Sequence, residues 1–178
     1  MKKEPIVQAG APVLRAVAKP VAKREFGSAK LHTLLTKMSR ILAKEEFGVA
    51  LAAPQVGVSQ RIFVVAGRTF IADFKDKIER TTPPDMVFIN PEITRLSRKK
   101  KELSEGCLSV RGKYGTVMRH ERASVQAQDE HGKIFTYHGT GLVAHIFQHE
   151  CDHLEGILYI DKAEKLRDEA EKITKSDV

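Results

Sequence analysis

The sharpest chemical signal in the chain is a pair of histidines four residues apart, with a glutamate directly after the first. His149-Glu150-Cys151-Asp152-His153 reads H-E-x-x-H. On a helix, side chains four apart lie about one turn apart on the same face, so both imidazoles can reach one cation. Glu150 lies roughly 100° around the axis, where it can address a water on that cation. The pattern favours a hydrolytic metal site. The alternative is that the two histidines simply lie on the surface of the helix.

Such a site needs a third protein ligand, and the chain offers several candidates. Cys151 lies about 200° around the helix from the first histidine, so we expect it in the core. A metzincin needs a third histidine at position 159, where this chain has Tyr159. A thermolysin-like ligand could come from Glu169 or Glu171, which lie among other charged residues. Cys107 remains, although a cysteine in a strand is commonly an ordinary core residue.

Two other segments hold isolated polar residues in apolar or strand-like surroundings. Glu105 precedes Gly106 and Cys107 in a strand-like segment, and a charge there needs a partner such as an arginine. Gly106 permits close backbone approach. Gln55 is the only polar side chain in GVALAAPQVG, residues 48–57. Its amide is either solvent-facing in a turn or a donor aimed into a site.

The elements that position these residues follow from hydrophobic spacing and turn residues. Helices are predicted over residues 28–46, capped by Ser28, over 140–154 and over 161–174. Strands are predicted at 61–67, 86–90, 103–110, 116–129 and 133–139, and the last two form a hairpin across 130–132. The 140–154 helix is apolar on two sides, which predicts burial on both. We therefore expect an α+β fold with mixed or antiparallel strands around a central metal-binding helix.

Composition indicates a soluble globular protein. The chain has 178 residues, of which 42% are hydrophobic and 30% charged, so we expect one domain spanning 1–178. Two cysteines do not make a disulfide framework, and no apolar run approaches the roughly 18 residues of a membrane helix. Because polar residues interrupt the N-terminal segment, we expect a cytoplasmic or organelle-matrix protein. The net charge of +7 is densest at 98–101, a run that suits either a ribosome contact or a solvated turn.

Three segments, taken in order, resemble the signature motifs of one enzyme family. They are GVALAAPQ at 48–55, EGCLS at 105–109 and QHECDHLEG at 148–156, and they resemble those of the peptide deformylases. The segment APVLRAVAKPV and the helix before Gly48 also fit, so the resemblance covers nearly the whole chain. It implies a metal-dependent hydrolase that removes the N-formyl group from the initiator formyl-methionine of nascent polypeptides and releases formate.

The resemblance also implies a metal and its ligands. Cys107, His149 and His153 would bind one divalent ion and leave a further position for water. The ion would be Fe(II) in the cell, and Zn(II), Ni(II) or Co(II) could replace it. A site with two imidazoles and one thiolate suits these metals.

The same resemblance assigns catalytic and substrate-binding residues. Glu150 would carry the proton from water to the leaving amine. The side-chain amide of Gln55 and the backbone N–H of Leu108 would donate to the formyl oxygen. The residues expected to bind substrate are Val49, Ala50, Leu103, Gly106, Leu142, His145 and Ile146.

Two positions depart from the family pattern, and other functions remain as alternatives. Ala50 stands where the first motif usually has a second glycine, and Arg111 stands where a proline is common. The alternatives are a zincin-type endopeptidase and a non-catalytic metal-binding regulatory protein. The expected partners are N-formyl-methionyl nascent peptides and the ribosome near its exit tunnel, with no membrane, and the expected state is a monomer.

Overall fold

The computed structural model describes residues 6–74 and 83–168 of the chain. Its helices are α1 (Ala29–Leu42) and α2 (Gly141–Leu154). Its strands are β1 (Ala50–Ala52), β2 (Ile62–Val65), β3 (Met86–Leu96), β4 (Lys100–Cys107), β5 (Val110–His120), β6 (Arg122–Gln128), β7 (Ile134–Thr140) and β8 (Leu166–Asp168). Short 3-10 helices cover Pro12–Leu14, Lys23–Glu25, Ala53–Val56, Gly67–Phe74 and Tyr159–Asp161.

A five-stranded antiparallel sheet, in the order β1-β2-β3-β6-β7, lies between the two helices. Strand β2 is apolar throughout its sequence because both of its faces are buried. Ile62 and Val64 pack with the buried face of α1, whereas Phe63 and Val65 pack with α2. Because successive side chains point to opposite faces, a strand covered on both faces has no polar alternation.

Helix α2 also faces a second, three-stranded sheet in the order β4-β5-β8. The side chain of Gln148 fixes the contact, since it accepts from the backbone N–H of His120 and donates to its carbonyl, both at 2.9 Å. Strand β4 ends at Cys107, which packs near Val110 and Tyr159. The architecture therefore brings the end of β4 beside the histidine-bearing helix.

Most predicted elements are confirmed, and the α+β class is correct. The first helix starts as predicted, with the hydroxyl of Ser28 accepting from the N–H of Leu31 at 3.2 Å, but it ends at Leu42 because the chain turns before Gly48. The predicted strand 116–129 is two strands, β5 and β6, and the predicted hairpin is the β6–β7 pair. The helix over 140–154 corresponds to α2.

The predicted C-terminal helix over 161–174 is wrong in its described part. The chain forms a 3-10 turn at Tyr159–Asp161 and then β8, which pairs antiparallel with β5. Leu166 lies opposite Gly115, and a Cβ on that glycine would meet Ala163 at 2.6 Å and Leu166 at 3.1 Å. The open edge of β5 offers backbone hydrogen bonds that outweigh the helical periodicity. Residues 169–174 lie outside the described residues, and with them the two alternative metal ligands Glu169 and Glu171.

Among residues 6–74 and 83–168, no helix combines the length and apolar character needed to cross a bilayer.

Candidate active site

One thiol and two imidazoles meet where β4 ends beside α2. The Sγ of Cys107 and a ring nitrogen of each of His149 and His153 all lie within 4.8 Å of one another. Cys107 Sγ is 3.2 Å from Nε2 of His153. One turn of α2 separates the two rings, whose centroids are 4.9 Å apart. Sulfur and imidazole nitrogen together suit zinc or iron(II), so these three residues could hold one divalent ion.

Glu150 adds a buried carboxyl group beside this triad. Its Oε2 has no hydrogen-bond partner, and the residue lines the cleft that opens next to the triad. Burial raises the pKa of Glu150 to about 7; His149 acts to lower it and Glu105 adds to the rise. A buried oxygen without a partner costs free energy, so the position fits a site that is completed by a bound ion and its water.

Glu105 holds the first histidine through a dense set of hydrogen bonds. It accepts from Arg119 Nε at 2.6 Å and Nη2 at 3.0 Å, and it bonds His145 Nε2 at 2.7 Å and His149 Nδ1 at 2.9 Å. Burial alone would raise the pKa of Glu105, but the bonds from His145, His149 and Arg119 hold it well below its usual range. The carboxylate thus fixes one ring nitrogen of His149 and leaves the other for a metal.

The two triad histidines differ in their electrostatic surroundings. Burial lowers the pKa of His153 well below its ordinary value, and His149 adds to that fall. Burial has the same effect on His149, but hydrogen bonds with Cys107 and Glu105 outweigh it and raise the pKa. An ion bound by both rings needs an unprotonated nitrogen from each.

Gln55 is buried and points toward the triad, which decides between its two sequence interpretations. Only 2% of the residue is exposed. Its Oε1 accepts from the N–H of Ala52 at 2.8 Å, while Nε2 donates to Cys107 Sγ at 3.5 Å and to Ser109 Oγ at 3.1 Å. The first bond fixes which end of the amide faces the cleft. The amide N–H₂ is therefore the group presented there.

A cleft of about 630 Å³ opens beside the triad. It contains nearly all of the residues that sequence reasoning selected: Val49, Ala50, Gln55, Gly106, Cys107, Leu108, Leu142, His145, Ile146, His149 and Glu150. His153 lies deeper and is buried. Leu103 does not line the cleft, although its neighbour Ser104 does. The predicted substrate contact of Leu103 stays a prediction.

Partners of the site that sequence reasoning missed come from distant segments. The ring of Tyr159 stacks on that of His149 with centroids 6.3 Å apart, and its hydroxyl donates to the carbonyl of Lys113 at 2.8 Å. Gln8 donates to the carbonyl of Leu108 at 3.0 Å. Cys151 is buried in the main core as expected, and burial raises its pKa to about 12. Sequence spacing predicts no contact of Gln8 or Tyr159 with the site, so only the fold reveals these two partners.

Comparison with known proteins identifies the family. The family model for polypeptide deformylase matches residues 3–169. The chain belongs to the peptide deformylase family. Peptide deformylases are metal-dependent hydrolases, and this member carries a candidate metal-binding triad in Cys107, His149 and His153.

Individual deformylases resemble this one over most of its length. The peptide deformylase of Treponema pallidum is 39% identical over 162 residues, which is 90% of this chain and 89% of the relative. The chloroplastic/mitochondrial peptide deformylase 1A of Arabidopsis thaliana is 39% identical, over 88% of this chain and 60% of the relative. The Met-Ala-Ser-bound structure of the class I type b deformylase from Acinetobacter baumannii has a TM-score of 0.77 at 32% identity, covering 89% of this chain and 96% of that one.

Proposed function

We propose that this deformylase removes the formyl group from N-formyl-methionyl peptides with one divalent ion held by Cys107, His149 and His153. The observation that carries the proposal is the meeting of their three ligand atoms within 4.8 Å, at the end of a cleft. When bound, the ion supplies Lewis-acid chemistry, which acidifies water and polarises a carbonyl group. The mixed sulfur and nitrogen donors suit Fe(II) as the working ion, with Zn(II), Ni(II) or Co(II) as replacements.

Glu150 moves the proton in this proposal. Its unpartnered Oε2 takes a proton from the water that attacks the formyl carbon, and it later returns that proton to the departing amine nitrogen. The C–N bond breaks, and the products are formate and a free amino terminus. The carboxyl lies one residue from His149 on α2, which fixes it beside the reacting centre.

Gln55 and Leu108 stabilise the negative charge that develops on the formyl oxygen. The amide of Gln55 is held by its bond from Ala52 N–H, so its N–H₂ is already oriented before substrate arrives. The backbone N–H of Leu108 supplies the second donor from the cleft wall. Fixed donors need no reorganisation during the reaction, which is why they lower its barrier.

The methionine side chain binds against the apolar part of the cleft. Val49, just before β1, and Leu142 and Ile146 of α2 line it, with His145 at its margin. Ala50 and Gly106 border the path of the substrate backbone. An unbranched thioether adapts well to such an irregular apolar wall.

The decisive experiment measures formate release from formyl-Met-Ala-Ser by anaerobically purified protein of known metal content. Glu150→Gln should keep its metal but lower kcat by about 100-fold or more, because general acid–base catalysis is lost. Release of formate by the parent protein with no cleavage of internal peptide bonds supports the proposal. A Cys107→Ala protein that still binds metal and cleaves internal bonds would instead favour a zincin-type endopeptidase.

We further propose that residues 1–178 form one domain that works as a monomer near the ribosomal exit, in a bacterial cytoplasm or an organelle matrix. The bacterial and plant organellar relatives support this location. The basic run Arg98–Lys101 is exposed where β3 turns into β4, and its Lys99 pairs with Glu121 at 3.1 Å. Neutralising that run should reduce salt-sensitive pelleting with ribosomes. Unchanged pelleting would exclude it as the docking segment.

A further inference from the structure

Phe47 is a large apolar side chain that the fold leaves almost fully in water. It is 86% exposed, and it lies between α1 and β1 on the wall of the active-site cleft. Single exposed apolar residues are common on protein surfaces and need no explanation by themselves. The ring of Phe47, however, lines the same cleft as Gln55, Cys107 and Glu150. Its location therefore points to contact with whatever occupies that cleft.

Two arginines fix the turn that carries Phe47. The side chain of Glu45 is buried, and Arg111 Nη2 contacts its Oε1 at 3.2 Å. Arg68 Nη2 donates to the carbonyl of Glu45 at 3.1 Å and also to the carbonyl of Gly48. The backbone is thus anchored at Glu45 and at Gly48, on either side of residues 46–47. Phe47 is held outward at the tip of this turn.

The position of Phe47 relative to the reacting groups follows from the order of residues along the chain. Gln55 marks the reacting end, since its amide donates to Cys107 Sγ, and its Oε1 binds Ala52 at the end of β1. From there the chain runs back along β1 (Ala50–Ala52) to Val49 and then to the turn that carries Phe47. Phe47 therefore stands two residues before Val49, which is proposed to contact the methionine side chain.

The charges around Phe47 favour an apolar partner. Lys44 and Glu46 precede Phe47 with opposite charges. Of the other charged residues on the cleft wall, Arg111 pairs with Glu45, and Lys113 pairs with Asp168. The cleft wall therefore offers no net attraction to a charged side chain. Burying an apolar side chain against the exposed ring of Phe47 removes apolar surface from water on both sides.

We propose that Phe47 is a specificity-determining residue that binds the side chain following the formyl-methionine and favours a large apolar residue there. This assignment rests on the proposed deformylase reaction, which places the methionine against Val49, Leu142 and Ile146. The contact acts on binding and is remote from the reacting atoms. Its effect should therefore appear in KM and leave kcat nearly unchanged.

The test compares kcat and KM for formyl-Met-Leu-Ser, formyl-Met-Gly-Ser and formyl-Met-Asp-Ser. The parent protein should prefer the leucine peptide, and Phe47→Ala should lower the leucine-to-glycine ratio of kcat/KM by about fivefold, through KM. Phe47→Tyr, which keeps the ring, should retain the preference. Ile134→Ala is the matched control, because Ile134 is 63% exposed on β7 and is not among the residues lining the cleft.

Three outcomes would overturn the assignment. One is a parent protein that shows no preference for leucine; the second is a Phe47→Ala protein that keeps the preference in full. The third is an equal loss in the Ile134→Ala control. A parent protein that releases no formate from any of the three peptides would contradict the proposed reaction itself, and the assignment with it.

Discussion

Glu105 is the residue on which the polar contacts of the site converge. One buried carboxylate accepts from Arg119 twice and bonds two histidines, so each of its oxygens has more than one partner. The guanidinium continues to Asp152 at 2.6 Å, and Asp152 in turn accepts from Lys162 at 2.7 Å. Such a network is favourable only when complete, because each remaining charge would otherwise be buried without a partner.

We predict that Arg119→Leu destabilises the protein by about 3–5 kcal/mol, because it leaves Glu105 buried without its main counterion. Both side chains of that pair are almost fully buried. Urea unfolding with the slope held fixed gives the free energy of unfolding. The control is Lys99→Ala, which removes the exposed Lys99–Glu121 pair and should cost less than about 1 kcal/mol. If the two variants lose the same free energy of unfolding, burial of the Arg119–Glu105 pair is not what makes it important.

Individual residues of the site were predictable to different degrees. The H-E-x-x-H spacing is local, and the helix period alone brings its two imidazoles to one face. Cys107 joins them across more than forty positions of sequence, and only the resemblance to a known family named it as a ligand. The need of Glu105 for an arginine partner was predicted, and Arg119 fills it. That His145 binds the same carboxylate could not be predicted, because the pairing depends on how β4 meets α2.

At the scale of elements, patterns were reliable where packing and periodicity agree. Helices α1 and α2 bury the faces that their spacing predicts, and the apolar β2 is covered on both sides. The C-terminal segment shows the opposite case. Its helical periodicity competes with an open strand edge, and the backbone hydrogen bonds of β5 decide the outcome. Sequence spacing carries no information about a free edge elsewhere in the fold.

The 3-10 turn after α2 carries a pH-dependent contact. Asp161 pairs with Arg15, and its Oδ2 accepts from the N–H of Leu158 at 2.8 Å. The hydrogen bond with Arg15 lowers the pKa of Asp161; burial opposes this, and the bond from Leu158 adds to it. A carboxyl group with a lowered folded-state pKa stabilises the protein above its unfolded pKa of about 3.9, and this contribution is lost as the pH falls through the folded value.

We therefore predict that Asp161→Asn is less stable than the parent at pH 7, by less than about 1 kcal/mol because both partners are partly exposed. The difference should shrink as the pH falls below about 4, where the parent loses the same charge. Urea unfolding of both proteins at pH 7 and at pH 3 measures it. A difference that grows on acidification would show that the ion pair is not its source.

At the scale of the whole molecule, the candidate site is assembled from three parts that local structure alone does not connect. Helix α2 carries the histidines, β4 carries Cys107, and the turn after β1 carries Gln55. An N-terminal segment links the last two. The N–H of Val7 donates to the carbonyl of Gln55 at 2.9 Å, and the N–H of Ala9 donates to the carbonyl of Ser109 at 2.7 Å. This segment thereby ties together the two loops that present the proposed oxyanion donors.

Deleting residues 2–9 tests whether that tie serves catalysis. The deletion removes both backbone bonds and the bond from Gln8 to the carbonyl of Leu108, while the metal ligands stay on α2 and β4. Because small displacements of positioned groups are costly, we predict that kcat/KM for formyl-Met-Ala-Ser falls by about tenfold or more. Metal content per chain should stay near that of the parent. Deleting only residues 2–5 leaves all three bonds and should preserve activity. If the longer deletion loses metal in proportion to activity, the segment supports the metal centre and does not position the oxyanion donors.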